Sequence, residues 1–115
     1  MQLLILILNE ERTMDKVLAE MMNEGLRGGS LLECEGVLQA LGHTSVEPPP
    51  IFGSLRQYLN PEHGDTHKML IAAIKDEQYG KVKEIVDDVT GGLNKANVGI
   101  MMTLPIGNIE GFNRE

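Results

Sequence analysis

Three histidines, His43, His63 and His67, fall in one stretch of the chain beside Glu47, Glu62 and Asp65. Imidazole and carboxylate are side chains that ligate divalent metals, and Glu62-His63-Gly64-Asp65-Thr66-His67 is the tightest local group of them. Its spacing matches no zinc pattern, and a loop does not fix ligand geometry. The simpler reading is a set of solvated polar side chains. No metal cofactor is therefore expected, and His63 and His67 are the residues that would hold one if it bound. Nucleophilic chemistry has less to draw on. Cys34 is the only cysteine, with no cationic neighbour in sequence, and its expected role is a small buried strand residue. No nucleophile and base stand at a recognisable spacing, and the carboxylates are spread as solvated charges usually are. The expectation is a protein that is not an enzyme.

These side chains must be positioned by a small body. The chain has 115 residues, 42% of them hydrophobic and 3% aromatic, which predicts one domain (1–115) with an aliphatic, Met-rich core. A single cysteine rules out an internal disulfide and fits a reducing compartment. Net charge of −7 lacks the basic patch that nucleic acid or an anionic membrane surface would require. The apolar run Gln2-Leu3-Leu4-Ile5-Leu6-Ile7-Leu8 has no basic leader and is too short to span a bilayer. It reads as the first strand of a cytoplasmic protein, not inserted in a membrane.

Leu3 to Leu8 is apolar on both faces, as in a strand covered on both sides. Asn9 to Arg12 reads as a turn and Thr13 as an N-cap. Met14, Val17, Leu18, Met21 and Met22 then form one helical stripe, which Gly25 can close. Gly28-Gly29 opens a second strand from Ser30 to about Ala40, where Leu32 and Cys34 alternate with Glu33 and Glu35 and leave one wet face. Gly36 inside it suggests a bulge or a close backbone approach. Met69 to Ile74 is a third strand, apolar on both faces. Asp76 is expected to cap a second helix, with Tyr79, Val82, Ile85, Val86 and Val89 as its stripe and Gly91-Gly92 as its stop. Val98 to Leu104 is the fourth strand, ended by Pro105, and a short tail follows.

Between strands two and three lies a loop, 42–66, that carries Pro48-Pro49-Pro50. So long a connection in so short a chain is functional or disordered more often than not. The three prolines stiffen it ahead of Ile51 and Phe52, and Ser54 to Leu59 can form a helical turn. Ile51, Phe52, Leu55 and Arg56 are candidate contacts for a partner. The same four could instead fold back over the scaffold or a neighbouring subunit.

The resulting order is an α+β, ferredoxin-like βαββαβ sandwich with a long loop between strands two and three. Two helices cover only one face of four strands, yet the first, third and fourth strands are apolar on both. A second copy of the chain is the expected cover, hence a closed homo-oligomer.

The chain resembles the PII family of nitrogen-regulatory signal proteins, and more closely its divergent PII-like branch. The resemblance runs from the first strand through Gly25-Leu26-Arg27-Gly28-Gly29-Ser30 and Glu35-Gly36 to Gly42-His43-Thr44, and resumes from the third strand through the fourth. It implies a homotrimer with sheets packed around a central axis and a "T-loop" that reaches a transporter or enzyme partner. It also implies clefts between subunits that take adenine nucleotides. The ligand-binding positions carried over are Ser30, Gly36, Val37, Leu38, Gln39 and Gly99.

Departures from the family pattern cluster at the phosphates. Where the family has Gly-Phe-Gly-Arg-Gln this chain has Gly36-Val37-Leu38-Gln39-Ala40, and where it has Gly-Asp-Gly-Lys this chain has Asn97-Val98-Gly99-Ile100. An arginine and a lysine are lost, and a triphosphate needs such charge-assisted partners. The expected ligand is a less charged adenylate or another anion rather than ATP. The tyrosine that other members expose for uridylylation has no counterpart, since Tyr58 sits in a different setting. Two alternatives stand beside this reading. One is an oligomeric interaction protein with no small ligand, its cleft filled by Leu38 and Ile100. The other is a metal-binding protein like the trimeric copper-tolerance family CutA, whose fold is similar but which lacks the long loop.

Overall fold

The computed structural model describes residues 1–37, 40 and 67–112. Four strands and two helices make an α+β fold: β1 (Gln2–Leu8), α1 (Glu11–Asn23), β2 (Ser30–Cys34), β3 (His67–Ile74), α2 (Tyr79–Thr90) and β4 (Gly99–Pro105). The sheet runs β2-β3-β1-β4 and every neighbouring pair is antiparallel. β1 occupies the centre, with Leu6 between Leu70 and Met101.

Register explains the core. Leu4, Leu6 and Leu8 alternate along β1 and share their face with Leu70, Ala72 and Ile74 of β3. All six are buried against Met14, Val17 and Met21 of α1 and Val82, Ile85 and Val86 of α2. The period of two in the strands and of 3.6 in the helices thus meet in one layer. Met22 departs from the expected stripe. It stands 62% exposed, at the far side of the last turn of α1.

Helix boundaries differ from the sequence expectation at both starts. α1 begins at Glu11, within the expected turn, because extended Glu10 serves as N-cap and its carbonyl accepts the Met14 N–H at 3.1 Å. Thr13 lies inside the helix, its hydroxyl 3.4 Å from Glu10 Oε2. Asp76 does not cap α2. It opens a 3-10 turn, Asp76–Gln78, in which Gln78 Oε1 accepts the Lys75 N–H at 2.8 Å and the Gln78 N–H returns to the Lys75 carbonyl at 2.9 Å. The Asp76 carboxylate pairs instead with the Met1 ammonium at 3.1 Å. Hydrogen bonds from that ammonium and from Gln2, together with its charge, hold the Asp76 pKa below the usual carboxylate value.

The stops fall where expected. Gly91 takes a left-handed conformation after α2, and its N–H donates to the Asp87 carbonyl at 2.8 Å. Gly25 (φ 85°) ends α1 in a Schellman motif: its N–H reaches the Met22 carbonyl at 3.0 Å, and the Leu26 N–H reaches Met21 at 2.8 Å. Leu26 then packs into the core. A Cβ at Gly25 would meet nothing within 4 Å, so Gly25→Ala carries only the left-handed backbone cost. We expect a loss of about 1 kcal/mol, read from the urea midpoint.

β2 is shorter than expected. Cys34 pairs with His67, the first residue of β3, and beyond that pair the chain turns helical, with the Ala40 N–H donating to the Gly36 carbonyl at 2.8 Å. A strand as far as Ala40 is therefore corrected to one ending at Cys34. Glu33 lies on the helix side of the sheet, where its carboxylate meets Lys68 at 3.0 Å. That hydrogen bond, ahead of the carboxylate's charge, raises the Lys68 pKa. Cys34 is half-buried rather than buried, and it faces the other side with Leu32.

That other side is apolar across all four strands. Leu32, Met69, Ile71, Leu3, Ile5, Ile7, Ile100, Met102 and Leu104 share it by register. Ile100, Met102 and Leu104 are 51%, 41% and 49% exposed. Both helices lie on the opposite face, and no described element covers this one.

Candidate functional site

Alternating strand direction brings one end of every strand to a common rim. The end of β1 (Leu8), the start of β3 (His67 and Lys68), the end of β2 (Cys34) and the start of β4 (Gly99) meet there. Gly36 and Val37 continue from the β2 corner of this rim. Val37 is 77% exposed, and a Cβ built at Gly36 would stand 3.6 Å from His67 Nε2. Ser30 is exposed but sits deeper along β2, opposite Ile71. Leu38 and Gln39 lie outside the described residues, as do Ile51, Phe52, Leu55, Arg56, His43 and His63.

Among the described residues, a single chain does not gather the ligand-binding candidates into one pocket. Gly36 and Val37 lie at the β2 edge and Gly99 at the β4 edge. β3 and β1 intervene, a separation of roughly 14 Å over three strand spacings. Each group therefore lies at an edge strand of the sheet.

Gly99 borders a cavity of about 590 Å³ between the end of α2 and β4, with Lys83, Asp87, Gly91, Asn94 and Ile100 also on its wall. Lys83 Nζ donates to Asp87 Oδ2 at 2.7 Å, and this bond raises the lysine pKa. Sequence reasoning missed Lys83, although its spacing of four from Asp87 is the signal of a helical ion pair. The Asn9 side chain closes the rim beneath β4, its Nδ2 donating to the Asn97 carbonyl at 2.7 Å.

Gly99 has a steric role of its own. An added Cβ would run into the Ile7 carbonyl oxygen and lie 2.8 Å from Leu8 Cδ2 and 3.1 Å from Leu8 Cα. The glycine lets β4 close on the central strand. Backbone access for a ligand is a second use of the same residue, not the only reason for it.

His67 is half-buried, and its Nδ1 is shielded from solvent without a hydrogen-bond partner among the described residues. It faces the apolar side of the sheet opposite Cys34. Among the described residues, no group of three or more His, Cys, Asp or Glu side chains converges as a metal site would require. No helix among them is long and apolar enough to cross a membrane.

A comparison of the chain with models of known protein families finds no match, and no curated protein matches it either.

Proposed function

We propose that the chain is a PII-like signalling or adaptor protein. In this reading it forms a homotrimer, binds a small ligand in clefts between subunits, and regulates a transporter or enzyme partner through its 42–66 loop. The observation that carries the reading is the sheet itself. Its order β2-β3-β1-β4, with two helices on one face, supports a ferredoxin-like βαββαβ arrangement. The apolar surface on the opposite face calls for a cover of its own chemistry, and a further copy of the chain supplies one.

Placement of the ligand candidates fits the same reading. Gly36 and Val37 on one edge and Gly99 on the other are halves of a site that two subunits would join. The ligand would act by binding one loop state better than another. With the arginine and lysine of the family pattern replaced, an adenylate of low charge or another small anion suits the cleft better than ATP.

A thermal-shift panel on the purified oligomer tests this directly, using ATP, ADP, AMP, cyclic nucleotides and divalent metals. A true ligand at 100 times its dissociation constant stabilises the folded form by about 2.7 kcal/mol. The expected result is a raised midpoint with a nucleotide of low charge. Silence across the panel would leave the second reading, an oligomeric interaction protein with no small ligand. A specific observation favours that alternative: Ile100, where the family pattern has a lysine, borders the cavity beside Gly99 and is half exposed on the apolar face, which offers a hydrophobic contact and no charge for a phosphate. A response to metals alone would favour the CutA-like reading.

A further inference from the structure

At the opposite end of the sheet from the rim, where the loop after α1 passes the end of β3, lies a cavity of about 370 Å³. This is within the size range of small-molecule sites. Met21, Leu26 and Ile74 give it an apolar wall continuous with the core, and Phe112 from the tail adds an aromatic ring. Arg27, Lys75 and Gln78 are also on its wall.

The polar groups here are unspent. Lys68, Lys81 and Lys83 each stand within ion-pair distance of a carboxylate, whereas Arg27 and Lys75, like Arg12, Lys16 and Lys95, have no such partner among the described residues, and of these five Arg27 and Lys75 share this cavity. Asp76, next to Lys75 in the chain, is already paired with the Met1 ammonium. Gln78 Oε1 is held by the Lys75 N–H, which leaves its amide NH2 as a donor. The N–H groups of Arg27 and Gly28 find no backbone acceptor among the described residues. In a chain of net charge −7, two uncompensated cations and several free donors on one small cavity, beside an apolar wall, form an arrangement complementary to an anion.

We propose that this cavity binds a small anion with a flat apolar body, either a carboxylate or a phosphate monoester. Arg27 and Lys75 take the anionic head, and Leu26, Ile74 and Phe112 take the body. The site is distinct from the clefts proposed above. It uses none of Ser30, Gly36 and Gly99, and it is complete within one chain.

The test is an amide-resolved NMR titration of the intact protein with phenyl phosphate, benzoate and inorganic phosphate. The expected result is saturable shifts at Arg27, Gly28 and Gln78 with phenyl phosphate or benzoate, while Ser30, Gly36 and Gly99 stay in place. Which of the two organic probes binds tighter identifies the head group. In the Arg27→Gln/Lys75→Gln double variant, affinity falls by at least about tenfold. Both side chains are exposed, so the variant retains the parent spectrum elsewhere. Three results would overturn the proposal: no saturable shift with either organic probe up to about 10 mM, undiminished affinity in the double variant, or inorganic phosphate binding as tightly as phenyl phosphate. Shifts confined to Ser30, Gly36 and Gly99 would also overturn it, and would instead support the intersubunit cleft.

Discussion

Replacing Ile100 and Met102 together by aspartate is expected to leave a folded protein that scatters light as the 12.7 kDa chain, where a parent that forms the proposed trimer would scatter as a multiple of it. The two residues alternate along β4 and face the helix-free side, opposite Ile7 and Ile5 of β1. Each is about half exposed in the single chain, so a carboxylate placed there stays hydrated and the monomer tolerates it. β4 is also an edge strand, where charge is a common feature of soluble proteins. Once a second copy covers the face, the same carboxylates are buried without partners, at several kcal/mol each after relaxation. Two per chain weaken the assembly by more than about a thousandfold. Met22→Asp adds an acid to an apolar residue on the helix layer, 62% exposed, and leaves the mass of the assembly unchanged. A parent that already runs as a monomer at micromolar concentration would refute the trimer and, with it, the idea of a cleft between subunits.

How much of this was legible in the chain depended on whether a signal was local. Periodicity is local, so the helical stripes through Val17 and Val82 could be read from the chain, as could two apolar faces along Leu3 to Leu8, but which of those faces meets the helices, the one with Leu4, Leu6 and Leu8, could not. The stops at Gly25 and Gly91 were equally plain, since a left-handed residue after an apolar stripe has few alternatives to glycine. Boundaries set by distant partners were not visible. β2 stops at Cys34, at its pair with His67, and no run of residues after Ser30 announces that stop. Asp76 was taken by the Met1 ammonium, a partner 75 positions away in sequence, and Gln78 did the local capping instead. The candidate site was legible only as residue types. Gly36 and Gly99 could be named, but their separation on opposite edges follows from the strand order. Nothing in the sequence paired Arg27 with Lys75, because only the end of β3 passing the α1 loop makes them neighbours on one cavity.

Gly99 and Gly36 give the sharpest separation between a residue kept for the fold and one kept for a ligand. Gly99→Ala is expected to destabilise the protein by at least about 2 kcal/mol. The new methyl meets the Ile7 carbonyl oxygen and the Leu8 backbone, which belong to the central strand and cannot swing aside as a side-chain tip can. Relief would require β4 to move off β1 at the pair Leu8 and Gly99, loosening the register that holds Met101 over the core. Gly36→Ala meets only the edge of the His67 ring, at ordinary contact distance, and its backbone needs no left-handed conformation. Its midpoint of unfolding should match the parent within about 0.5 kcal/mol. Urea titration of both variants measures the difference. A lowered midpoint at Gly36 would show that the turn after β2 is strained, and a silent Gly99→Ala would show that β4 is not held closely to β1. With the expected pair of results, Gly36→Ala becomes the clean probe of the intersubunit cleft. Any nucleotide response it loses is then lost at the binding surface, whereas a loss in Gly99→Ala is confounded by the fold.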